Sequence, residues 1–274
     1  DPTRADLLAR ANDPQAQAAG STATRRSGEA LRVPGGSPLP GAARIARALR
    51  PFRRRVPSRH LQTLDIDATV QQIASREIWH PVLRPSRARW FEIALVAEWS
   101  NSMALWTDTV RAFRRVLERL GGFRDVRLWW VEKPTAGPVV LRSKPGSSPR
   151  SPRELVAPDG RRLVLFATDC LSDGWRQDAF GPLLNELGRR QPVAILQMLP
   201  RTWWGRTALA HADPVFVGSK CPGTPNQALS HEPADPLAST SNRSSDSTIG
   251  RQRLVPIPIL TSEPELVAEW ARLV

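Results

Sequence analysis

The chain has no tyrosine and only two cysteines, Cys170 and Cys221, in 274 residues. Two thiols cannot build a disulfide framework, and no CxxC or Cys/His spacing is present that would clasp a structural zinc. No apolar run approaches the roughly 18 residues of a membrane-spanning helix, and the N-terminal stretch lacks the hydrophobic region of a signal peptide. A reducing cytoplasm is therefore the expected setting. The sequence starts at Asp1 without an initiator methionine, which fits a piece of a longer protein.

The nucleotide fingerprints GxGxxG and GxxxxGK[ST] are missing, as are the hydrolase signatures GxSxG and HExxH. These absences argue against the common nucleotide-binding enzymes and hydrolases. Cys170, just past an apolar run, superficially resembles the nucleophile of caspase-like proteases, which needs a histidine base. The four histidines are His60, His80, His211 and His231, none of them between residues 81 and 210, so Cys170 reads as structural.

Acidic residues are absent from one long stretch, between Glu29 and Asp65. Residues 1–64 hold twelve arginines against four acidic residues, much of the formal net charge of +13. The block Arg44, Arg47, Arg50, Arg53, Arg54, Arg55 and Arg59 would attract phosphates, anionic surfaces or acidic proteins alike. A solvated basic tail is the plainer reading of the same residues.

Three regions follow from composition. Residues 1–48, rich in Ala, Gly, Ser, Pro and Gln up to about residue 42, read as a disordered basic linker. Residues 49–88 read as a leader that packs on the core, with a short helix capped by Asp67 and with Trp79 and Val82 turned inward. Residues 89–274 alternate apolar runs with helical patterns. WFEIALVA, DVRLWWV, PVVLRS, RRLVLFATD, PVAILQML and LVPIPIL read as strands. Trp106, Val110, Phe113, Leu117 and Leu120 recur at helical spacing until Gly121-Gly122 stops them. DAFGPLLNELGRR and EPELVAEWARLV are the other amphipathic helices. Several strands are apolar on both faces, which predicts a Rossmann-like open α/β sheet, mostly parallel, with helices on both sides. Residues 219–253 are polar and rich in Ser and Pro, and read as a mobile insertion.

One turn concentrates chemistry. FEIALVAEWSNSMALW ends a buried strand in Glu98, Ser100 and Ser102, and a second strand ends in Thr168 and Asp169. Ligands of open α/β sheets sit at the carboxyl ends of strands, and hard oxygen donors gathered there suit Mg²⁺. The plainer alternative is that a serine hydroxyl caps the following helix while Glu98 favours its positive end.

The pattern resembles the von Willebrand factor A (vWA) fold, whose metal-ion-dependent adhesion site uses DxSxS after the first strand. Here the motif reads Glu98-Trp99-Ser100-Asn101-Ser102, with Glu where the family has Asp. The resemblance implies that Ser100 and Ser102 ligate the metal directly, that Glu98 acts through water, and that Asp169 completes the set. Cys170 stands where such domains often carry Gly. Residues 49–210 are more specifically similar to the vWA-like domains of bacterial conflict, or defence, proteins of the vWA-MoxR-associated class. The likeness runs through RPFRRRVPS, LDIDATVQQIA, WHPVLRPSRARW, GGFRDVRLWWV and PRELVAPDGRRLVLFATD.

The expected function is thus a noncatalytic interaction and regulatory module of a larger multidomain defence-type protein. A partner's acidic residue would meet the Mg²⁺ site, and Trp203 and Trp204 would add an aromatic contact patch unless buried beneath the insertion. The alternative is a metal-dependent nuclease, or a nucleic-acid-binding adaptor using the arginine block.

Overall fold

The apolar runs become the central strands. The structure, a computed structural model, describes residues 36–76, 79–210, 212, 215–233 and 255–274. All of these after Gly36 belong to the unit Ser37–Val274. In chain order the main elements are α1 (Ala42–Ala48), β1 (Arg55–Leu64), α2 (Ile66–Arg76), β2 (Leu83–Arg89), β3 (Glu92–Glu98), α3 (Thr107–Leu120), β4 (Val126–Glu132) and β5 (Val140–Arg142). They continue with β6 (Arg162–Thr168), α4 (Asp173–Arg176), α5 (Phe180–Arg190), β7 (Val193–Gln197), β8 (Val215–Gly218), β9 (Ser230–Pro233), β10 (Ile259–Leu260) and α6 (Pro264–Leu273).

Six strands form the main sheet in the order β10-β7-β6-β3-β4-β5. All neighbours pair in parallel except β5, which runs antiparallel to β4 at one edge. The chain therefore builds outward from β3 through β4 to β5, then restarts on the other side of β3 with β6. At such a reversal the two connections leave in opposite directions and open a crevice at the carboxyl ends of the strands.

Side-chain alternation divides the core between the two sheet faces. Ile93, Leu95 and Ala97 pack with Phe113 and Leu117 of α3, Ile45 of α1 and Trp270 of α6. Ala94 and Val96 pack on the opposite side with Phe180, Leu184 and Leu187 of α5. Burial on both faces explains why β3 and β6 read as continuous apolar runs. Gly121 ends α3 in the left-handed conformation, φ 66°.

Four expectations are corrected. The linker assigned to residues 1–48 overlaps α1, where Leu39, Ile45 and Leu49 are buried and lead into Phe52, whose ring meets Phe91, Phe123 and Trp270. Only a few apolar side chains punctuate an Ala/Arg-rich stretch there, so helical periodicity had too few repeats to register. Trp79 does not turn inward: it is 87% exposed, and β1, α2 and β2 form their own two-stranded antiparallel unit in which α2 has no buried residue. Its helix starts one residue before Asp67, with Asp65 Oδ1 accepting from Ala68 N at 3.1 Å. Within the expected mobile insertion, residues 219–233 are structured. The β8–β9 hairpin brackets Asn226, which is 1% exposed and bonds both Val193 N and Val193 O, at 2.7 and 2.8 Å. The remainder of that insertion, 234–253, lies outside the described residues, as do residues 1–35 of the expected linker.

Candidate functional site

Glu98 closes β3 and Thr168 closes β6, adjacent strands on either side of the reversal. Alternation puts both side chains on the α5 face, where Trp175 of α4 reaches them. Thr168 Oγ1 donates to Glu98 Oε2 at 2.5 Å, and Trp175 Nε1 donates to the same oxygen at 3.0 Å and to Thr168 Oγ1 at 2.9 Å. Cys170 N also donates to Thr168 Oγ1, at 2.8 Å. Trp175 is itself fixed against Phe166 and Phe180, with ring centroids 6.0 and 5.5 Å away.

Glu98 is 1% exposed, and burial pushes its carboxyl above the usual carboxylate range. The hydroxyls of Ser172 and Thr168 and the Trp175 indole pull it back, while the negative charge of Asp169 raises it further. Ser172 lies near enough to favour the charged form without closing a hydrogen bond of normal geometry. Glu98 Oε1 and Ser172 Oγ are thus both buried with no hydrogen-bond partner among the described residues.

Asp169, also 1% exposed, accepts from Leu171 N at 3.0 Å through Oδ1. Its carbonyl accepts from Gln197 Nε2 at 3.3 Å, which ties the end of β6 to β7. Cys170 between them has φ 56°, in the left-handed region, and burial pushes its thiol up to about 12. That thiol is no nucleophile at neutral pH, in line with its reading as structural.

The two serines form a separate pair. Ser100 Oγ and Ser102 Oγ lie 3.3 Å apart, and Met103 N donates to Ser100 Oγ at 3.4 Å, so Ser100 serves the start of the short 3₁₀ turn Ser102–Trp106. No hydrogen bond among the described residues joins either serine to Glu98 or Asp169. The structure therefore brings together Glu98, Asp169 and Thr168, with Ser100 and Ser102 on the adjoining turn. Sequence reasoning missed Trp175 and Ser172; the only available signal was their place in LSDGW, directly after the strand that ends in Asp169.

The donor set fits a divalent cation. Glu98 Oε1 is an orphaned buried carboxylate oxygen, a second carboxylate adds negative charge beside it, and the nearby groups are hard oxygens. Among the described residues no three His, Cys, Asp or Glu side chains cluster.

The remaining candidates separate. Trp203 is 50% exposed, with the Arg206 guanidinium 5.2 Å from its ring centre. Trp204 is half-buried, donates Nε1 to Leu199 O at 3.1 Å and carries Arg201 at 5.6 Å. Trp99, 44% exposed, and Leu105, 86% exposed, stand on the β3 turn. Of the arginine block, Arg44 pairs with Glu265 at 2.6 Å, and Arg47, Arg50 and Arg53 line a groove against α3. Arg54 lines an apolar pocket beside Phe52 and Trp90, Arg55 begins β1, and the side chain of Arg59 lies outside the described residues. No helix among the described residues is long and apolar enough to cross a membrane. No family model matches this chain, and no curated protein matches it.

Proposed function

We propose that the chain is a noncatalytic interaction module of vWA-like, Rossmann-like architecture that docks a protein partner at the carboxyl end of its sheet, within a larger multidomain bacterial defence-type protein. The observation that supports this reading most is that β3 ends in Glu98 and β6 leads into Asp169 at the reversal of strand order, with the negative charge of Asp169 acting on the Glu98 carboxyl. Counted along the chain, the six strands run 3-2-1-4-5-6, the order of doubly wound sheets whose ligands bind at that point. Cys170 supports the vWA likeness, because its left-handed backbone is the conformation that glycine favours.

Glu98, Ser100, Ser102 and Asp169 would hold Mg²⁺, which when bound supplies an open coordination position to a partner's Asp or Glu. The chain's own residues do the rest. Thr168 and Trp175 fix one oxygen of Glu98 and leave the other free, and the exposed Trp99, Leu105 and Trp203 offer apolar contact around the crevice.

Titrating Mg²⁺ and Mn²⁺ into wild type, Ser100→Ala/Ser102→Ala and Asp169→Ala by calorimetry tests this. Saturable binding lost in folded variants is expected. A well-folded wild type that binds neither ion favours a second reading, in which Glu98, Thr168 and Trp175 form a buried clamp between β3, β6 and α4. Phosphodiester cleavage is less favoured, because Asp173, the nearest further carboxylate in sequence, is exposed and paired with Arg176 at 3.3 Å.

A further inference from the structure

Several exposed arginines of this protein face a carboxylate. Arg44 meets Glu265, Arg111 meets Asp108, Arg114 meets Glu118, Arg127 meets Asp125, Arg150 meets Glu154 and Arg176 meets Asp173. One region gathers several arginines that form no ion pair among the described residues. Arg47, Arg50, Arg53 and Arg119 line a groove of about 540 Å³ between α1 and α3, whose other walls are Ala, Val116 and Leu120. Among the described residues no acidic side chain lines it.

Beside it, the β1–β2 ribbon sets Arg55 directly opposite Arg89, and Pro57 opposite Arg87. Residues two apart share a face, so three guanidiniums project from one side of the ribbon. Like charges directly opposite destabilise a strand pair unless an anion covers them. Among the described residues none of these seven arginines forms an ion pair.

Groove and ribbon meet at the end of α3. A Cβ on Gly122 would lie 2.9 Å from Phe52 O and 3.2 Å from Arg53 N, so the chain leading from the groove into β1 runs against that glycine. Arg89 Nη1 donates to Phe123 O at 3.2 Å, which holds the ribbon to the same turn.

We propose that this surface, assembled from α1, α3, β1 and β2, binds the phosphate backbone of nucleic acid. The arginine fork matches phosphate with two parallel hydrogen bonds, and the chain supplies it almost without lysine, since Lys133, Lys144 and Lys220 are its only lysines. A membrane surface fits less well. The exposed apolar residues of the same unit, Leu61, Leu64, Ile66, Val70, Trp79 and Leu83, lie toward the other end of the ribbon or on the segment joining its strands, and the Leu64–Leu83 pair stands roughly 20 Å along β2 from the Arg55–Arg89 pair at about 3.3 Å per residue. A membrane-binding face needs apolar and basic groups side by side.

The test is fluorescence anisotropy of a labelled 20-base-pair DNA duplex and a 20-nucleotide single strand with the whole chain, from 50 to 300 mM KCl. Four or more phosphate contacts give a log–log salt slope of about −4 or steeper on duplex. Arg47→Glu/Arg119→Glu and Arg55→Glu/Arg89→Glu should each weaken binding at least tenfold and flatten the slope by about 2. Arg111→Glu/Arg176→Glu, an equal charge change at paired positions, should alter it less than threefold, with thermal melts verifying the fold of each variant. Three results would overturn the proposal: no binding tighter than about 10 μM at 50 mM KCl, an equal loss in the control, or capture by anionic phospholipid vesicles but not by DNA.

Discussion

The carboxyl end of the sheet and the α1–α3–ribbon surface handle charge in opposite ways. At the first, Glu98 and Asp169 are each 1% exposed and held by named donors, so their charge costs desolvation and their geometry is fixed. At the second, exposed arginines form no ion pair among the described residues, and there charge costs little and screening by salt governs its reach. The difference predicts that mutations at the first region act on stability as well as on cation binding, and that mutations at the second act mainly on nucleic-acid binding.

The largest expected effect is at Trp175. Replacing it with alanine empties the space against Phe166 and Phe180 and removes a donor from a buried carboxylate, and should destabilise by about 3–5 kcal/mol in urea unfolding. Thr168→Val keeps the shape and removes only the hydroxyl, so a loss of about 1–3 kcal/mol at neutral pH is expected, shrinking in acid as Glu98 protonates.

The acid dependence has a definite sign. Glu98 has a folded pKa above its ordinary value of 4.5, so the folded state binds the extra proton between the two values. Its contribution is most favourable below 4.5 and is lost as pH rises through the folded pKa. Glu98→Gln should therefore remove a downward slope of stability with pH that starts near 4.5. A slope unchanged by the substitution would mean that this carboxyl does not titrate abnormally.

At the exposed surface the expected sign reverses. Arg55→Glu replaces a like-charge cross-strand pair with an attractive one, and should stabilise by roughly 0.2–1 kcal/mol while weakening nucleic-acid binding. Destabilisation instead would show that Arg55 and Arg89 are not opposed in solution. The smallest effect is chemical: at neutral pH a maleimide should label Cys221, which is exposed, and spare Cys170 in the folded chain.

Much of the sheet was legible in the sequence because its strands are buried on both faces and stand out as apolar runs. The stop at Gly121 and the neighbouring ends of β3 in Glu98 and β6 in Thr168 followed from turn chemistry and from where strands end. The β1–β2 ribbon was not legible, since RVPSRHLQTL and LRPSRAR carry proline, arginine and no alternation of apolar residues. Its pairing is long-range, and it leaves most of its side chains in water. Trp175 was hidden for another reason: a short helix gives no periodicity, and only the fold places its indole under Glu98. The arginine surface was half visible, as a block between Arg44 and Arg59. Folding removes Arg44 to its partner Glu265 and adds Arg87, Arg89 and Arg119 from distant positions.

Cation binding at the end of β3 is read most directly from the thermal midpoint with and without 10 mM Mg²⁺ at pH 7.5, for wild type and Glu98→Gln. For an affinity near 1 mM the ion adds about 1.4 kcal/mol, a rise of about 3–5 °C in wild type. That rise is expected in wild type and its loss in Glu98→Gln. An equal shift in both proteins, or none in either, would contradict a cation-dependent docking site at the end of β3.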